Sequence, residues 1–175
     1  MICPDCKTDN IPGADFCESC GNDLRHLDLP GADDDLTQHL LNDRVGEIEM
    51  KEPRTVAPGE PVAYAIHIMQ RYGTGCVLVY DSDKLVGILT ERDVLMKAAG
   101  DKVDLNALTV QALMTPDPIV LQEDESLAVA LHKMSVGGFR HLPVIMPDRP
   151  TRVLSIRELF RHVNEFIHDS PAPVR

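Results

Sequence analysis

The sequence predicts an α/β (α+β) fold made of two similar units, because residues 45–168 contain an internal repeat. A shift of 65 positions aligns the two copies without a gap. Identical residues then coincide along the whole length: Val45 with Val110, Pro53 with Pro118, Glu60 with Glu125, Gly73 with Gly138, and Arg92 with Arg157. Two copies are too few for a solenoid. We therefore expect a pseudo-twofold pair that shares one core.

Both copies show the same order of secondary-structure signals. A short lead-in turn or helix comes first, at Val45–Ile48 and at Val110–Met114, and a run of β-forming residues follows it. An amphipathic helix, two further β-rich runs and a last helix complete each copy. The apolar face of the first helix has matching residues in the two copies: Val62, Ala65, Ile66 and Met69, then Leu127, Ala130, Leu131 and Met134. Each copy is therefore predicted to be a β-α-β-β-α unit.

Four cysteines near the N-terminus form two CxxC pairs. Cys3 and Cys6 are separated from Cys17 and Cys20 by ten residues. This spacing predicts a structural zinc ribbon in which four thiolates surround one ion. A redox CxxC is expected within a thioredoxin-like βαβ context, which is missing, and two disulfides are disfavoured inside cells. The segment resembles the short zinc ribbons at the termini of prokaryotic proteins.

The charge of this ribbon disfavours nucleic acid as its partner. Six acidic residues face two basic ones within it: Asp5, Asp9, Asp15, Glu18, Asp23 and Asp28 against Lys7 and Arg25. Zinc with four thiolates adds further negative charge, and such a surface repels phosphate. We expect a purely structural role or contact with an unknown protein partner. A nucleic-acid-binding regulator that uses the ribbon stays an alternative.

Together these patterns divide the chain into five predicted segments. They are a zinc ribbon at 1–29, an acidic linker with a short helix at 30–43, repeat one at 44–105, repeat two at 106–168, and a tail at 169–175. Neither repeat is large enough to bury much core alone.

Composition limits the classes of function. The formal charge is −11, and 43% of the residues are hydrophobic without any tryptophan. Clustered positive charge for nucleic acid is absent from this balance. No apolar run approaches the ~20 residues of a membrane helix, and the N-terminus lacks the layout of a secretory signal. We expect a cytoplasmic protein that does not bind membranes.

Three stretches of the repeat resemble a tandem CBS-domain pair, also called a Bateman module. They are the lead-in Leu113–Pro118, the strand Phe139–Val144 and the strand-to-helix stretch Gly87–Asp93, which carries a GxxTxxD pattern. The resemblance covers residues 45–168. It implies a regulatory module whose cleft between the copies binds an adenosine nucleotide, and it implies a homodimer.

The resemblance also implies the residues of the cleft. Thr90 and Asp93 would hold the ribose from a helix N-terminus, where free N–H groups also face the ligand. The other predicted residues line the base or bind phosphate: Ile88, Pro118 and Ile119 beside adenine, Arg140 and His141 at the phosphates. Alternatively, Thr90 and Asp93 are only a helix cap and a first-turn acid.

The equivalent site of the second copy departs from this pattern. Arg152 replaces a glycine there, and Ser155 and Glu158 replace the threonine and aspartate. Gly75 and Cys76 stand where the first site would have the basic pair. We expect one competent site and one degenerate or empty site.

The predicted function is a non-enzymatic sensor of adenine nucleotides. No Ser-His-Asp, Cys-His or paired-acid arrangement suggests catalysis. The ligand could be AMP, ADP, ATP or S-adenosylmethionine. A second hypothesis is a ligand-free scaffold in which the pair serves only for dimerisation.

Overall fold

A computed structural model of the chain describes residues 2, 3, 5–11, 14–22, 24, 35–98 and 103–169. The chain divides into two compact units, an N-terminal unit (Met1–Asp43) and a repeat unit (Arg44–Arg175). Residues 30–34 of the predicted linker and residues 170–175 of the predicted tail lie outside the described residues.

The repeat unit contains two β-α-β-β-α copies, as predicted. Copy one consists of β1 (Thr55–Val56), α2 (Val62–Tyr72), β2 (Cys76–Asp81), β3 (Lys84–Thr90) and α3 (Glu91–Ala98), with α1 lying before it in the N-terminal unit. Copy two consists of α4 (Val110–Leu113), β4 (Thr115–Pro116), β5 (Leu121–Gln122), α5 (Leu127–Gly137), β6 (His141–Met146), β7 (Arg149–Ser155) and α6 (Ile156–Asp169). Helices α2 and α5, like β2 and β6, are 65 residues apart, so the offset of the sequence repeat is also the offset of the structure.

The strands form two small sheets. In the first sheet the order is β1-β2-β3-β4, with β1 parallel to β2 and the other neighbours antiparallel. In the second sheet β5 is parallel to β6, and β6 is antiparallel to β7. Strand β4 comes from the lead-in of copy two but pairs with β3 of copy one. The first sheet is therefore built from both copies.

The lead-in segments are exchanged between the copies. Val45, in a 3-10 turn before copy one, donates its N–H to the carbonyl of Glu125 in copy two at 2.9 Å. Val110, at the equivalent position before copy two, donates its N–H to the carbonyl of Glu60 in copy one at 2.8 Å. The bridges Arg44–Ser126 and Pro61–Thr109 repeat this symmetry. Each copy thus completes the other.

The core is aliphatic, as the lack of tryptophan and the few aromatic residues require. The core of the first copy contains Val110 and Leu113 from the lead-in of copy two, and the rest comes from copy one: Val56, Val62, Ala65, Met69, Val77, Val79 and Leu89. A smaller cluster joins the copies, with Val153 packed against three residues of copy one: Cys76, Leu78 and Ile88. The predicted fold class is confirmed.

The described residues of the N-terminal unit form two hairpin-like turns and one helix. Helix α1 (Asp35–Asn42) supplies the short helix predicted for the linker. Leu24 is fully buried and packs with Cys3, Cys17 and Ala14. No described helix of either unit is both long enough and apolar enough to cross a bilayer.

The fully buried Leu89 provides a test of the core. We expect Leu89→Ala to lower the free energy of unfolding by about 2–5 kcal/mol, because it removes buried methyl groups and leaves a cavity. Urea unfolding measures this change. Val136→Ala is the control, since that side chain is 76% exposed and its loss should change the stability by less than about 0.5 kcal/mol. Similar losses for both variants would contradict the assigned core.

Candidate functional site

The four predicted metal ligands lie together in the N-terminal unit. One ligand atom from each of Cys3, Cys6, Cys17 and Cys20 lies within 4.8 Å of the other three. The sulfurs of Cys3 and Cys20 are 3.6 Å apart, and those of Cys6 and Cys17 are 3.5 Å apart. Thiolates at the corners of a tetrahedron around zinc would be about 3.8 Å apart. The cluster could therefore hold a metal ion.

The two turns that carry these cysteines have the same backbone. Lys7 donates its N–H to the carbonyl of Cys3 at 3.0 Å, and Gly21 donates to Cys17 at 2.9 Å. The φ angle of Gly21 is +72°, and Lys7 adopts the same left-handed conformation at +62°. Lysine at this position departs from the sequence pattern but leaves the turn unchanged. The buried Asn10 links the turns by accepting the N–H of Glu18 at 2.9 Å.

The pKa values of two of the four thiols are shifted in opposite directions. Hydrogen bonds with the side chain and backbone of Thr8 lower the pKa of Cys6 to about 6. The backbone of Asn22 lowers the pKa of Cys20, but the other three cysteines and burial raise it to about 12. Four thiolates this close repel one another, so all four ionise together only when a cation neutralises them.

The predicted ribose site in copy one is filled by groups of the protein. The Oδ2 atom of Asp93 accepts the Thr90 hydroxyl at 2.6 Å and the Thr90 N–H at 3.0 Å. Its Oδ1 atom lies 2.9 Å from the Lys97 ammonium and accepts the Thr115 hydroxyl at 3.3 Å. Burial raises the pKa of Asp93, but these hydrogen bonds and Lys97 together lower it below its ordinary value. Ribose hydroxyls would have to displace these donors.

Strand β4 closes the same site from the other side. Gly87 pairs with Pro116, and a Cβ atom at Gly87 would lie only 2.5 Å from the sulfur of Met114. A side chain at position 87 would therefore force Met114 to shift and would crowd the carbonyl of Thr115, which lies 3.1 Å away. Ile88 is buried against the joining cluster, whereas Ile119 is 49% exposed.

A cavity of about 560 Å³ lies between the copies on the side of Ser155 and Glu158. Such a volume is typical of small-molecule sites. Arg140 and His141, the predicted phosphate-binding pair, line this cavity, but Thr90 and Asp93 are not among its lining residues. Its other charged lining residues are Lys51, Glu52, Glu91, Arg157 and Arg161.

Glu158 is positioned at the start of α6 with one oxygen available. Its Oε2 atom accepts both the N–H and the hydroxyl of Ser155 at 2.8 Å, as Asp93 does with Thr90. Within residues 35–98 and 103–169, no hydrogen bond or ion pair engages the Oε1 atom. Glu158 is 8% exposed. Glu158, one of the replacements that made a degenerate site expected, can therefore still accept a ligand hydroxyl.

Arg152 distinguishes this side from the first one. It occupies the position equivalent to Gly87, and among the described residues the second sheet has no fourth strand. Arg152 instead contacts Glu52 of the lead-in through an ion pair of 3.2 Å. A further cavity of about 640 Å³ borders this pair. A side chain thus replaces the backbone pairing that closes the first site.

His141 packs tightly inside the cavity. A Cβ atom at Gly75 would lie 2.9 Å from the His141 ring, so a larger residue there would require the ring to shift. Burial lowers the pKa of His141 below its ordinary value, Arg157 and Arg140 lower it further, and Glu91 and Glu158 oppose this effect. The imidazole is therefore neutral at neutral pH in the absence of an anion.

Sequence reasoning missed three cations of this cavity. Arg157 and Arg161 are four residues apart on α6, and this spacing puts both on one face of a helix. That signal was available in the sequence. Lys51 had no such signal, because it reaches the cavity only through the exchange of lead-in segments. Cys76, which stands where the other copy has His141, is buried, and desolvation raises its pKa to about 12.

Comparison with known proteins identifies the fold family. The sequence pattern of the CBS domain matches residues 45–100 and 110–165. The chain belongs to the CBS-domain family. An uncharacterised 17.7 kDa protein of Acidianus ambivalens is 34% identical over 120 residues, which are 67% of this chain and 71% of that protein. The predicted tandem CBS pair is confirmed.

Other CBS-domain relatives are larger proteins. Inosine-5′-monophosphate dehydrogenase of Methanocaldococcus jannaschii is 32% identical over 120 residues, 67% of this chain and 23% of that enzyme. The protein CBSCBSPB3 of Arabidopsis thaliana is 34% identical over 93 residues, 53% of this chain. The matched region is 17% of the length of that plant protein.

Solved CBS structures share the arrangement of the repeat unit. The CBS-domain protein ATU1752 of Agrobacterium tumefaciens has a TM-score of 0.59 at 27% identity, covering 64% of this chain and 90% of that one. The CBS pair of protein MJ0100, solved with 5′-methylthioadenosine and S-adenosyl-L-methionine, has a TM-score of 0.61 at 25% identity. The match covers 71% of this chain and 98% of the MJ0100 chain.

The cysteine cluster predicts one bound metal ion per chain. We expect Cys17→Ser to abolish binding of added Zn²⁺, because a four-ligand site loses one thiolate. Elemental analysis after gel filtration measures the bound metal. The control is Cys76→Ser, which removes the buried cysteine of the repeat unit and should leave the metal content unchanged. Equal metal content in wild type and Cys17→Ser would contradict the assignment.

His141 predicts a dependence of stability on pH. Its pKa in the folded protein is lower than the ordinary value of about 6.5, so the unfolded chain binds the proton more readily. Stability should therefore fall as the pH drops below about 6.5. We expect the melting temperature of the wild type to fall more than that of His141→Gln between about pH 7.5 and about pH 5.5. Parallel curves would contradict the depressed pKa.

Proposed function

We propose that this CBS pair is a regulatory, non-catalytic module that binds an adenosine-type ligand in the cavity between its copies. The observation that carries the proposal is the cavity itself, which brings Ser155 and Glu158 together with Arg140 and His141. A carboxylate suits ribose hydroxyls, and arginine suits phosphate through its two parallel donors. The adenosine compounds bound to the CBS pair of MJ0100 support this class of ligand.

The chain offers two places for this ligand, and their chemistry differs. In the cavity, one oxygen of Glu158 is available and cations surround the space. In the site predicted from the sequence, with Ile88, Thr90, Asp93, Pro118 and Ile119, the carboxylate already has four protein contacts. Displacing the Lys97 ammonium would cost the binding energy of an ion pair. The cavity is therefore the first candidate and the predicted site the second.

The N-terminal unit completes the proposed module as a structural zinc ribbon. The sulfur spacing and the two matched turns support zinc, since four thiolates are a common structural set for this ion. We propose contact with another protein as its role, because acidic residues dominate its sequence.

A homodimer is the proposed assembly of the repeat unit. Large apolar side chains are exposed on α3 and α6, including Leu95 at 68%, Met96 at 73% and Phe160 at 66%. Exposed apolar groups of this kind are typical of association surfaces.

Calorimetric titration tests the ligand and its place together. We expect one adenosine nucleotide to bind per chain, with affinity reduced by roughly tenfold or more in Glu158→Gln, because a charged acceptor of hydrogen bonds is lost. Asp93→Asn is the matched control, since it makes the same chemical change at the equivalent position of copy one. It should leave binding nearly unchanged.

Two further outcomes separate the alternatives. Binding that is lost in Asp93→Asn and kept in Glu158→Gln would put the ligand in the site predicted from the sequence. Absence of heat with AMP, ADP, ATP, 5′-methylthioadenosine and S-adenosylmethionine would overturn the proposed function and favour the ligand-free scaffold. Urea unfolding of each variant checks that it remains folded.

A further inference from the structure

We propose that the cavity selects its adenosine ligand by the length of the phosphate chain, favouring the triphosphate over the monophosphate and over the sulfur-linked adenosine compounds. This inference rests on the proposed function, because it assigns a ligand class to the same cavity. Its basis is the number and arrangement of positive charges around that space.

Four cations line the cavity without an ion-pair partner among residues 35–98 and 103–169. They are Lys51, Arg140, Arg157 and Arg161. The ion pairs between described residues of the repeat unit use other cations instead: Lys97, Lys133, Arg149 and Arg152. The four cavity cations also make no side-chain hydrogen bond within residues 35–98 and 103–169. Their charge is therefore available to an anion.

The carboxylates of the cavity do not cancel this charge. Three line it, Glu52, Glu91 and Glu158. The ion pair with Arg152 neutralises Glu52 at 3.2 Å. Glu158 receives two hydrogen bonds from Ser155. Cations still outnumber carboxylates in this space, although the formal charge of the whole chain is −11. The positive charge is thus concentrated here against the composition of the protein.

Three structural elements bring the cations together. Arg157 and Arg161 are one helical turn apart on α6, so they share a face. Arg140 is fixed beside the start of this helix, because its carbonyl accepts the N–H of Ile156 at 2.9 Å. Lys51 arrives from the exchanged lead-in. A ribose held by Glu158 at the first turn would direct its phosphates along this row of cations.

The charges of the candidate ligands then decide among them. Near neutral pH a terminal phosphate carries about −1.5 to −2 charges, so AMP brings about two negative charges and ATP about four. Each added phosphate finds a further guanidinium or ammonium for charge-assisted hydrogen bonds. The sulfonium of S-adenosylmethionine is positive and is repelled by the same groups. Chain length should therefore raise the affinity stepwise.

Titration of the full-length protein with ATP, ADP, AMP and S-adenosylmethionine tests this order. We expect ATP to bind roughly tenfold or more tightly than AMP, with ADP between them and S-adenosylmethionine weakest. The affinity for ATP should also fall more steeply with added salt than that for AMP, because screening acts on more charges.

Two variants of opposite effect make the test specific. Arg161→Gln removes one cation. It should lower the affinity for ATP by roughly tenfold and change the affinity for AMP little. Glu91→Gln removes the remaining opposing carboxylate and should raise the affinity for ATP. Misfolding would lower the affinity of either variant for ATP, so a higher affinity in Glu91→Gln reports electrostatics alone.

The failure of this inference can be told apart from failure of the proposed function. Equal affinities for AMP and ATP, unchanged by Arg161→Gln, would overturn selection by chain length while the module still binds a nucleotide. The tightest binding for S-adenosylmethionine would do the same. If neither these four compounds nor 5′-methylthioadenosine bind to the folded protein, the proposed function itself fails.

Discussion

The structure depends on a reciprocal exchange of backbone hydrogen bonds between the copies. Val45 and Gly46 donate to Glu125 and Glu123 of the second copy, and Val110 and Gln111 make the equivalent bonds to the first. Buried N–H groups need partners, so removing one lead-in would leave the other copy with unsatisfied groups and an incomplete core. The copies therefore form one cooperative unit, and any site between them is built from both.

The exchange gives the two sites the same framework but different closures. On one side Gly87 permits strand β4 of the opposite copy to approach. Lys97 and Thr115 there contact the carboxylate of Asp93. On the other side Arg152 forms an ion pair with Glu52, and Glu52 lines the open cavity. The two sides thus differ, with backbone pairing at Gly87 and an ion pair at Arg152.

The sequence predicted most of the fold, because the repeat offset carries over to the helices and strands without change. It also predicted the cysteine cluster, whose spacing has few other physical explanations. It did not predict the exchange of lead-in segments, which depends on tertiary packing rather than on local propensity.

The motif favoured Thr90 and Asp93 as the ribose site. It gave no information about protein donors that compete with ribose for the Asp93 carboxylate. One such donor was visible, since Asp93 and Lys97 have the i,i+4 spacing of a helical ion pair. Thr115 was not, because it contacts Asp93 only through the pairing of β4 with β3. The location of the open cavity therefore required the structure.

The path of the chain through the lead-in has a mechanical consequence. The segment that carries Lys51 to the cavity wall follows directly after the last residue of the N-terminal unit. A ligand that held Lys51 would also restrain the stretch of backbone by which that unit is attached. Occupancy of the cavity is therefore linked to this connector by the covalent backbone alone.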